Sequence, residues 1–315
     1  LSRNWLTRNL PLCGDYVVSG FINRIFRNGF ISILLFGLLV SYLNAEEVKP
    51  DSGFTISPGF SFLYGTVYEY VFVDGRKASE LKWDVKPLVM AGTEIAYNYS
   101  NLVINGSLLF AINERTGEIK DYDWDDSGNL SHFSSHSVSQ SGSLFFNTSI
   151  AYHIEINKEF TFIPVIGNRF NRIQLTAEDG YLEYPPGSPP VSVYGKGIIY
   201  EQRYLIPYVG GVLSYSGDIF VLSAGLYFSP FLYCNARDSH VKRDIDFYDS
   251  IKMGKYYNIY TSLEYFFSEK LSLTLRSSYT YIPLSKGDSY YVDLSDGSKS
   301  SSFKNSSGIK AEYCE

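Results

Sequence analysis

The sequence has few cysteines and no basic excess, and both shortages exclude classes of protein. Among its 315 residues there are three cysteines, Cys13, Cys234 and Cys314, and none of them forms a CxxC spacing. The sequence therefore does not predict a zinc site or any other metal centre. The formal net charge is -6, whereas nucleic-acid-binding domains usually carry a basic excess. Nucleic acid is therefore not an expected partner.

Long apolar runs are also scarce. The pronounced one, Ile31–Val40, follows Arg24 and Arg27 and ends soon afterwards at a small residue. It is too short for a comfortable transmembrane helix, which needs about 20 apolar residues. A basic flank, a short apolar run and a small residue are typical of a secretory signal. We predict a leader with a signal peptide at 1–45 and a second domain at 46–315. A retained membrane anchor is the alternative.

Aromatic residues, by contrast, are abundant. They make up 17% of the chain, with 28 Tyr and 22 Phe, which suits a membrane barrel with aromatic girdles. After Pro50 helical periodicity is absent, and about ten segments alternate between apolar and polar residues, as half-buried strands do. These segments are Phe54–Val73, Leu81–Tyr97, Leu102–Ile112, Ser139–Ile154, Phe160–Tyr184, Ile198–Tyr215, Ile219–Tyr233, Lys255–Phe267, Leu271–Ile282 and Ser307–Tyr313.

The connections between these segments alternate in length. Short ones at 99–101, 157–159, 216–218 and 268–270 alternate with long polar ones near 114–138, 185–197, 234–254 and 283–306. This alternation predicts an all-β fold, a ten-stranded antiparallel outer-membrane β-barrel with long extracellular loops. The last segment stops at Glu315, so we expect a truncated final strand. A soluble β-sandwich is the alternative, but it explains neither the signal nor the asymmetry of the connections.

Two acidic stretches far apart in the chain are the candidates for chemistry. Asp121 and Asp123 form one pair, and Asp238 and His240 form the other. On a strand, residues at i and i+2 lie on one face, so each pair presents two ionisable groups together. Two carboxylates that face an Asp-His pair can hold and deprotonate a water molecule. Solvated loop charges are the simpler alternative for either pair.

The body of the chain resembles the omptin family of outer-membrane aspartyl-type endopeptidases. The stretches that carry the resemblance are Gly75–Trp83, Asp121–Trp124, Tyr200–Gly210, Asp238–His240 and Lys304–Ile309. The resemblance implies a barrel in the bacterial outer membrane with its active site on the extracellular side. It also implies four catalytic residues, Asp121, Asp123, Asp238 and His240, and a water molecule that attacks the peptide bond directly without an acyl-enzyme.

The resemblance further implies a preference for basic residues beside the cleaved bond, but this chain departs from the family pattern. Glu69 matches an acidic residue of the S1 pocket, whereas Ala236 takes the place of its acidic partner. In the S1′ region His132 stands near the place of another acid, shortly before His136. Fewer carboxylates bind a cation less strongly. We therefore expect a residual basic preference at P1 and a relaxed P1′.

Lipopolysaccharide is the activating lipid that the resemblance implies, and no other cofactor is expected. Arg172, Arg203 and Lys252 match the basic residues that bind its phosphates, and such groups pair well with phosphate. The two other positions of that motif are Asn168 and Phe170 rather than Tyr and Glu. The alternative is that the three basic residues are ordinary interfacial anchors.

Two further questions stay open at the level of sequence. A non-catalytic barrel that serves as an adhesin or receptor is the alternative to an endopeptidase. Four catalytic-type residues together favour the enzyme, and a pore is disfavoured because a ten-stranded barrel is narrow. Cys234 and Cys314 could pair in an oxidising compartment or stay apart.

Overall fold

A computed structural model describes residues 52–268 and 271–315, and nearly all of them lie in antiparallel β-strands. The predicted leader at 1–45 lies outside the described residues. The strands are β1 (Ser52–Val73), β2 (Arg76–Tyr99), β3 (Leu102–Ala111), β4 (Arg115–Trp124), β5 (Leu130–Gln140), β6 (Leu144–Tyr152), β7 (Ile154–Glu155), β8 (Phe160–Glu183), β9 (Val191–Ser216), β10 (Phe220–His240), β11 (Ile245–Ser268), β12 (Leu271–Asp293) and β13 (Phe303–Cys314). No helix in these two described ranges has the length and apolar composition needed to cross a membrane.

These strands form a closed ring with about ten strand positions. β3 and β4 both pair with β2 and together occupy one strand position. β5 and β6 both pair with β8 and together occupy another. Each remaining long strand pairs with its neighbours in chain order, and β1 pairs with both β2 and β13. The ring confirms the predicted barrel. It also contradicts the β-sandwich alternative, because a sandwich would need two separate sheets.

Large apolar side chains face outwards on the strand portions next to the short turns. Phe60, Ile104, Ile150, Val209 and Ile259 are exposed examples from five different strands. An outward apolar band is the surface that an outer-membrane barrel presents to lipid. The interior is filled as well, as expected for a small ring. Its largest fully buried side chains include Trp83, Tyr200, Tyr204 and Tyr256.

Beyond this band the strands continue and their outward faces become polar. We call this region the outer part of the barrel: β4, β5 and the strand ends that adjoin 74–75, 184–190, 241–244 and 294–302. The long polar segments that the sequence suggested as loops are therefore mostly strands. Each remains a strand because it pairs on both sides, and its outward side chains are polar because they meet water instead of lipid.

Two turns illustrate how the ends of the barrel are built. At the outer end, Asp74 and Gly75 have φ angles of 51° and 79°. Positive φ at both central residues is the type I′ hairpin turn, which Asp-Gly favours because its twist matches that of the strands. At the opposite end β2 and β3 are joined through Ser100 and Asn101, as predicted.

The ring closes through β13. This strand pairs with β1 from Val71↔Ser307 to Tyr64↔Cys314 and with β12 on its other side. On its other edge β1 pairs with β2 along its whole length, from Ser52↔Tyr99 to Val73↔Arg76. The first and last strands therefore meet along the outer part and the stretch just below it. Cys234 is buried and free, so the alternative in which it pairs with Cys314 is wrong.

Candidate active site

The first predicted pair lies on β4. Asp121 is opposite Leu81, and Asp123 is opposite Ser79 of β2. Ile119, two residues earlier on the same face, is fully buried in the core. Alternation along the strand therefore directs Asp121 and Asp123 into the barrel interior. The expectation that this pair sits in a loop is wrong, since β4 pairs with β2 on one side and with β5 on the other.

The second pair lies at the outer end of β10. This strand continues past Tyr233 to His240, so these residues belong to the wall and not to a loop. Ala236 and Asp238 are both buried on its inner face, and Asp238 is only 5% exposed. The Nε2 atom of His240 lies 2.7 Å from Oδ2 of Asp238. When Nε2 donates this hydrogen bond, Nδ1 of neutral His240 is the basic nitrogen.

Aromatic rings surround this dyad. Asp238 is opposite Tyr200 on β9 and Phe247 on β11. The ring of Phe247 meets that of His240 edge-on, with the centroids 5.3 Å apart. Tyr200 stacks on Trp83, with its ring centroid 5.4 Å away. These rings keep water from the buried charges, and electrostatic interactions are stronger where the effective dielectric constant is low.

The two pairs form one electrostatic site. The pKa of Asp121 is raised to about 7, chiefly by burial and also by the negative charges of Asp123 and Asp238, while His240 and Arg243 oppose the rise. The charges of Asp238 and His240 thus act on Asp121 across the lumen that both strands face. The Oδ1 atoms of Asp121 and Asp238 are buried and have no hydrogen-bond partner among the described residues.

The charge state of His240 depends on its carboxylate neighbour. Burial lowers the pKa of the imidazole, but the hydrogen bond and charge of Asp238 outweigh it, and the net shift is upwards. Asp121 adds to the rise and Arg243 opposes it. Asp238 therefore stabilises the imidazolium that forms when His240 accepts a proton.

Glu69, predicted from the sequence to bind substrate, faces the same lumen. It lies on β1 between Leu81 of β2 and Ile309 of β13, and it is 2% exposed. Burial raises its pKa well above the usual value, and the charges of Asp238, Asp249 and Asp121 add to the rise. Glu69 is thus an electrostatic neighbour of Asp121 and Asp238.

Sequence reasoning missed Asp249. This residue lies on the inner face of β11. Its pKa is raised to about 7, chiefly by burial and also by the charge of Asp238, while a hydrogen bond with Ser289 opposes the rise. Phe247 and Ile251 share its face, and this alternation is the signal that could have revealed it. Polar residues on the outward face of 234–254 make this segment resemble a loop, although it belongs to β10 and β11.

The two histidines near the expected S1′ region lie on β5. His132 is opposite Asp123, and its ring stacks on Tyr184 with centroids 4.1 Å apart. His136 is half-buried and shares a hydrogen bond of 3.0 Å with the Ser134 hydroxyl. Position 132 therefore supplies an aromatic, exposed surface where the family pattern has an acid.

The basic residues proposed for lipopolysaccharide lie on the outer wall. Arg172 and Arg203 are opposite each other on β8 and β9, and both bridge Glu201, at 2.5 and 2.6 Å respectively. Lys252 is exposed on β11, two strands away from Arg203. The group therefore has three cations at one end of the barrel, with one carboxylate held between two of them. Among the described residues no group of three or more His, Cys, Asp and Glu side chains is arranged to hold a metal ion.

Comparison with known proteins also indicates an outer-membrane protease. The family model described as the Omptin family matches residues 50–314. The chain is 25% identical over 275 residues to the plasminogen activator of Yersinia pestis, covering 84% of this chain and 86% of that protein. It is 22% identical to the outer membrane protease OmpP of Escherichia coli K12 over 249 residues, covering 75% of this chain and 78% of that protein.

A solved structure shares the fold. The crystal structure of the outer membrane protease OmpT from Escherichia coli superimposes with a TM-score of 0.76 at 20% identity. The match covers 86% of this chain and 96% of that one. At this identity the likeness establishes the barrel architecture, which agrees with the ring of strands and its apolar band.

Proposed function

The chain belongs to the omptin family, a family of outer-membrane proteases, and on that premise we propose that it is an aspartyl-type endopeptidase cleaving next to basic residues. It is an outer-membrane protein and a protease, as its relatives are. The proposal adds the catalytic residues, the substrate preference and an active site that faces the extracellular side. The observation that carries it is the placement of Asp121, Asp123, Asp238 and His240 in one lumen, with His240 hydrogen-bonded to Asp238 at 2.7 Å.

In the proposed reaction, water is the nucleophile. Neutral His240 takes a proton from a water molecule that is also held by the Asp121 carboxylate, and the oxygen attacks the peptide carbonyl carbon. The tetrahedral intermediate collapses as the C–N bond breaks, and the imidazolium returns the proton to the leaving amine. Asp238 orients the ring and stabilises its charged form, while the charge of Asp123 tunes Asp121.

The alternative of a non-catalytic adhesin or receptor is tested by activity alone. We expect the protein refolded with lipopolysaccharide to cleave peptides that contain Arg and to leave the matched peptides with citrulline largely intact. Mass spectrometry of the products identifies the bond. Absence of cleavage by a folded, lipopolysaccharide-bound barrel would favour the alternative.

The rate is expected to rise with pH through about 7. Asp121 must be ionised to hold the water and His240 must be neutral to accept its proton, so protonation of either group stops the reaction. Burial raises the pKa of Asp121 to about 7, and Asp238 raises that of His240. Values of kcat/KM measured from pH 5.5 to 9 should therefore fall at acidic pH more steeply than the titration of a single group would predict. A rate that falls between pH 6 and 8 would contradict these roles.

The basic cluster on the outer wall predicts a change in lipid dependence. Removing both cations in an Arg172→Ala/Arg203→Ala variant should raise the lipopolysaccharide concentration for half-maximal activity by about tenfold or more, since charge-assisted contacts to phosphate are lost. Glu201→Gln should lower that concentration, because it removes the negative charge that neutralises both guanidinium groups. Lys304→Ala, which removes an exposed cation bound to Asp288, is the matched control. Unchanged titrations in both test variants would instead make Arg172 and Arg203 ordinary anchors.

A further inference from the structure

The carboxylate that is missing at position 236 has a counterpart on the next strand. Ala236 of β10 is directly opposite Asp249 of β11, and on its other side it is opposite Gln202 of β9. Directly opposite residues of an antiparallel pair have Cβ atoms only about 5 Å apart and point to the same face. The Asp249 carboxylate therefore lies at the same height in the barrel as position 236, on the adjacent strand.

Asp249 is held in the lumen and does not face solvent. It is 8% exposed, and Ile251 on the same face is 1% exposed in the core. Ser289, opposite it on β12, donates a hydrogen bond to its carboxylate. This hydrogen bond from β12 holds the Asp249 carboxylate in place, and the carboxylate can still accept hydrogen bonds from a cation in the lumen.

Asp249 and Glu69 face a common space. The charge of Asp249 is among those that act on Glu69, together with Asp238 and Asp121. Glu69 is 98% buried, the complement of its 2% exposure, and its Oε2 atom has no hydrogen-bond partner among the described residues. A buried carboxylate without a donor is costly, and a paired cation removes that cost.

We propose that Asp249 and Glu69 together bind the cationic side chain of the substrate residue that precedes the cleaved bond. The inference rests on the proposed endopeptidase function and names its specificity residue. A guanidinium group presents five N–H donors in a planar fork, which suits two carboxylates that approach from different walls. The loss of the acid at Ala236 therefore does not relax the P1 preference, because β11 supplies the second charge in place of β10.

Ionisation of this pocket follows from the same burial. Both carboxylates have raised pKa values, that of Asp249 to about 7, so at acidic pH they are protonated and attract a cation weakly. As pH rises they ionise, and KM for a peptide with Arg at P1 should fall. KM for the same peptide with citrulline at P1 should stay flat, because citrulline has the shape of Arg without its charge.

Steady-state kinetics with these two peptides tests the proposal. Asp249→Asn should lower the ratio of kcat/KM for Arg over citrulline by about 10- to 100-fold, the range for losing a charged hydrogen-bond partner. Cleavage of the citrulline peptide should change far less than cleavage of the Arg peptide, whereas damage to the fold would slow both peptides to the same extent. Glu118→Gln, a carboxylate on the outward face of β4 that bridges only Lys120 among the ion pairs of the described residues, is the matched control. A ratio within twofold of wild type in Asp249→Asn would overturn the proposal.

Moving the carboxylate back is the stricter test. The double variant Ala236→Asp/Asp249→Asn should recover most of the Arg-over-citrulline ratio, since the charge returns to the same level of the lumen. A ratio that stays at the value of Asp249→Asn would show that the missing carboxylate is not the cause, and would refute the assignment.

A binding measurement separates this inference from the proposed reaction. Nα-acetyl-arginine amide, which cannot be cleaved as an internal peptide bond, should bind the wild-type barrel in saturation-transfer NMR and should lose that binding in Asp249→Asn. If no peptide is cleaved but this difference in binding is found, the proposed reaction fails and the cation pocket stands. Equal binding by the two proteins would overturn the pocket even if wild type is an active protease.

Discussion

Substitution of His240 by Ala, or of Asp121 by Asn, is expected to lower kcat/KM for an Arg-containing peptide by about 10²- to 10⁴-fold, the usual contribution of general acid–base catalysis. His240→Ala removes the base that accepts the proton of water, and Asp121→Asn removes the negative charge that holds this water. Because both groups act on the chemical step, the loss should fall on kcat, with KM nearly unchanged. Rates are best measured in lipopolysaccharide at pH 8, where Asp121 is ionised in the wild-type enzyme.

Two control variants make this result interpretable. Glu118→Gln changes a carboxylate on the same strand as Asp121 but on the outward face, and His153→Ala changes a histidine far from the outer part. Both should keep wild-type rates. Retention of more than a third of the wild-type kcat by a folded His240→Ala or Asp121→Asn variant would remove the proposed mechanism. Such a result would leave unchanged the assignment to the omptin family and the β-barrel fold.

The second large effect is on stability, at the place where the ring closes. Gly65 of β1 is opposite Tyr313 of β13, and a Cβ atom at position 65 would lie 2.2 Å from the Glu312 carbonyl oxygen and 2.4 Å from the Tyr313 Cβ. Backbone atoms cannot yield as flexible side chains do, so Gly65→Val should push β1 and β13 apart. Overpacking of this kind costs about 1–3 kcal/mol and occasionally more.

Urea titration of the folded barrel, followed by tryptophan fluorescence, measures this cost. Trp83 is fully buried in the core and reports the loss of the lumen. Gly59→Val is the control on the same strand, because a Cβ at position 59 meets nothing within 4 Å. The midpoint for Gly65→Val should fall clearly below that for Gly59→Val. Coinciding midpoints would mean that the seam adapts to the extra side chain.

The part of the fold that meets lipid could be read from the sequence, and the part above it could not. In β9 the run from Tyr200 to Tyr208 alternates large buried residues with outward ones, which is a clear strand signal. Near the outer end of β11, Asp246 and Asp249 are both buried but face opposite sides, since Asp246 binds outward-facing Arg237 while Asp249 faces the lumen. With charged residues on both faces, the period of two is hidden and the segment resembles a loop.

The site divides in the same way. Asp121, Asp123, Asp238 and His240 could be proposed as candidates because the two members of each pair lie two residues apart on one strand. The contribution of Asp249 depends on which residue of β11 lies opposite Ala236. From the turn at 241–244 the β10–β11 register runs without a shift as far as Cys234, so counting back from that turn does pair Ala236 with Asp249. The turn itself could not be placed from the sequence, because charged residues on both faces make this segment resemble a loop.

The position of β13 also bears on when the protein can act. Glu69 stands on the first strand with Ile309 of the last strand beside it, and the Tyr68 hydroxyl donates a hydrogen bond to Glu312, 244 residues away. Contacts this distant in sequence form late in folding, since the loop between them must be closed first. The chamber that surrounds Glu69 is therefore enclosed only when the two ends of the barrel meet. Until that moment the proposed catalytic groups belong to a chain without a chamber, so we expect activity to appear only once the barrel has closed.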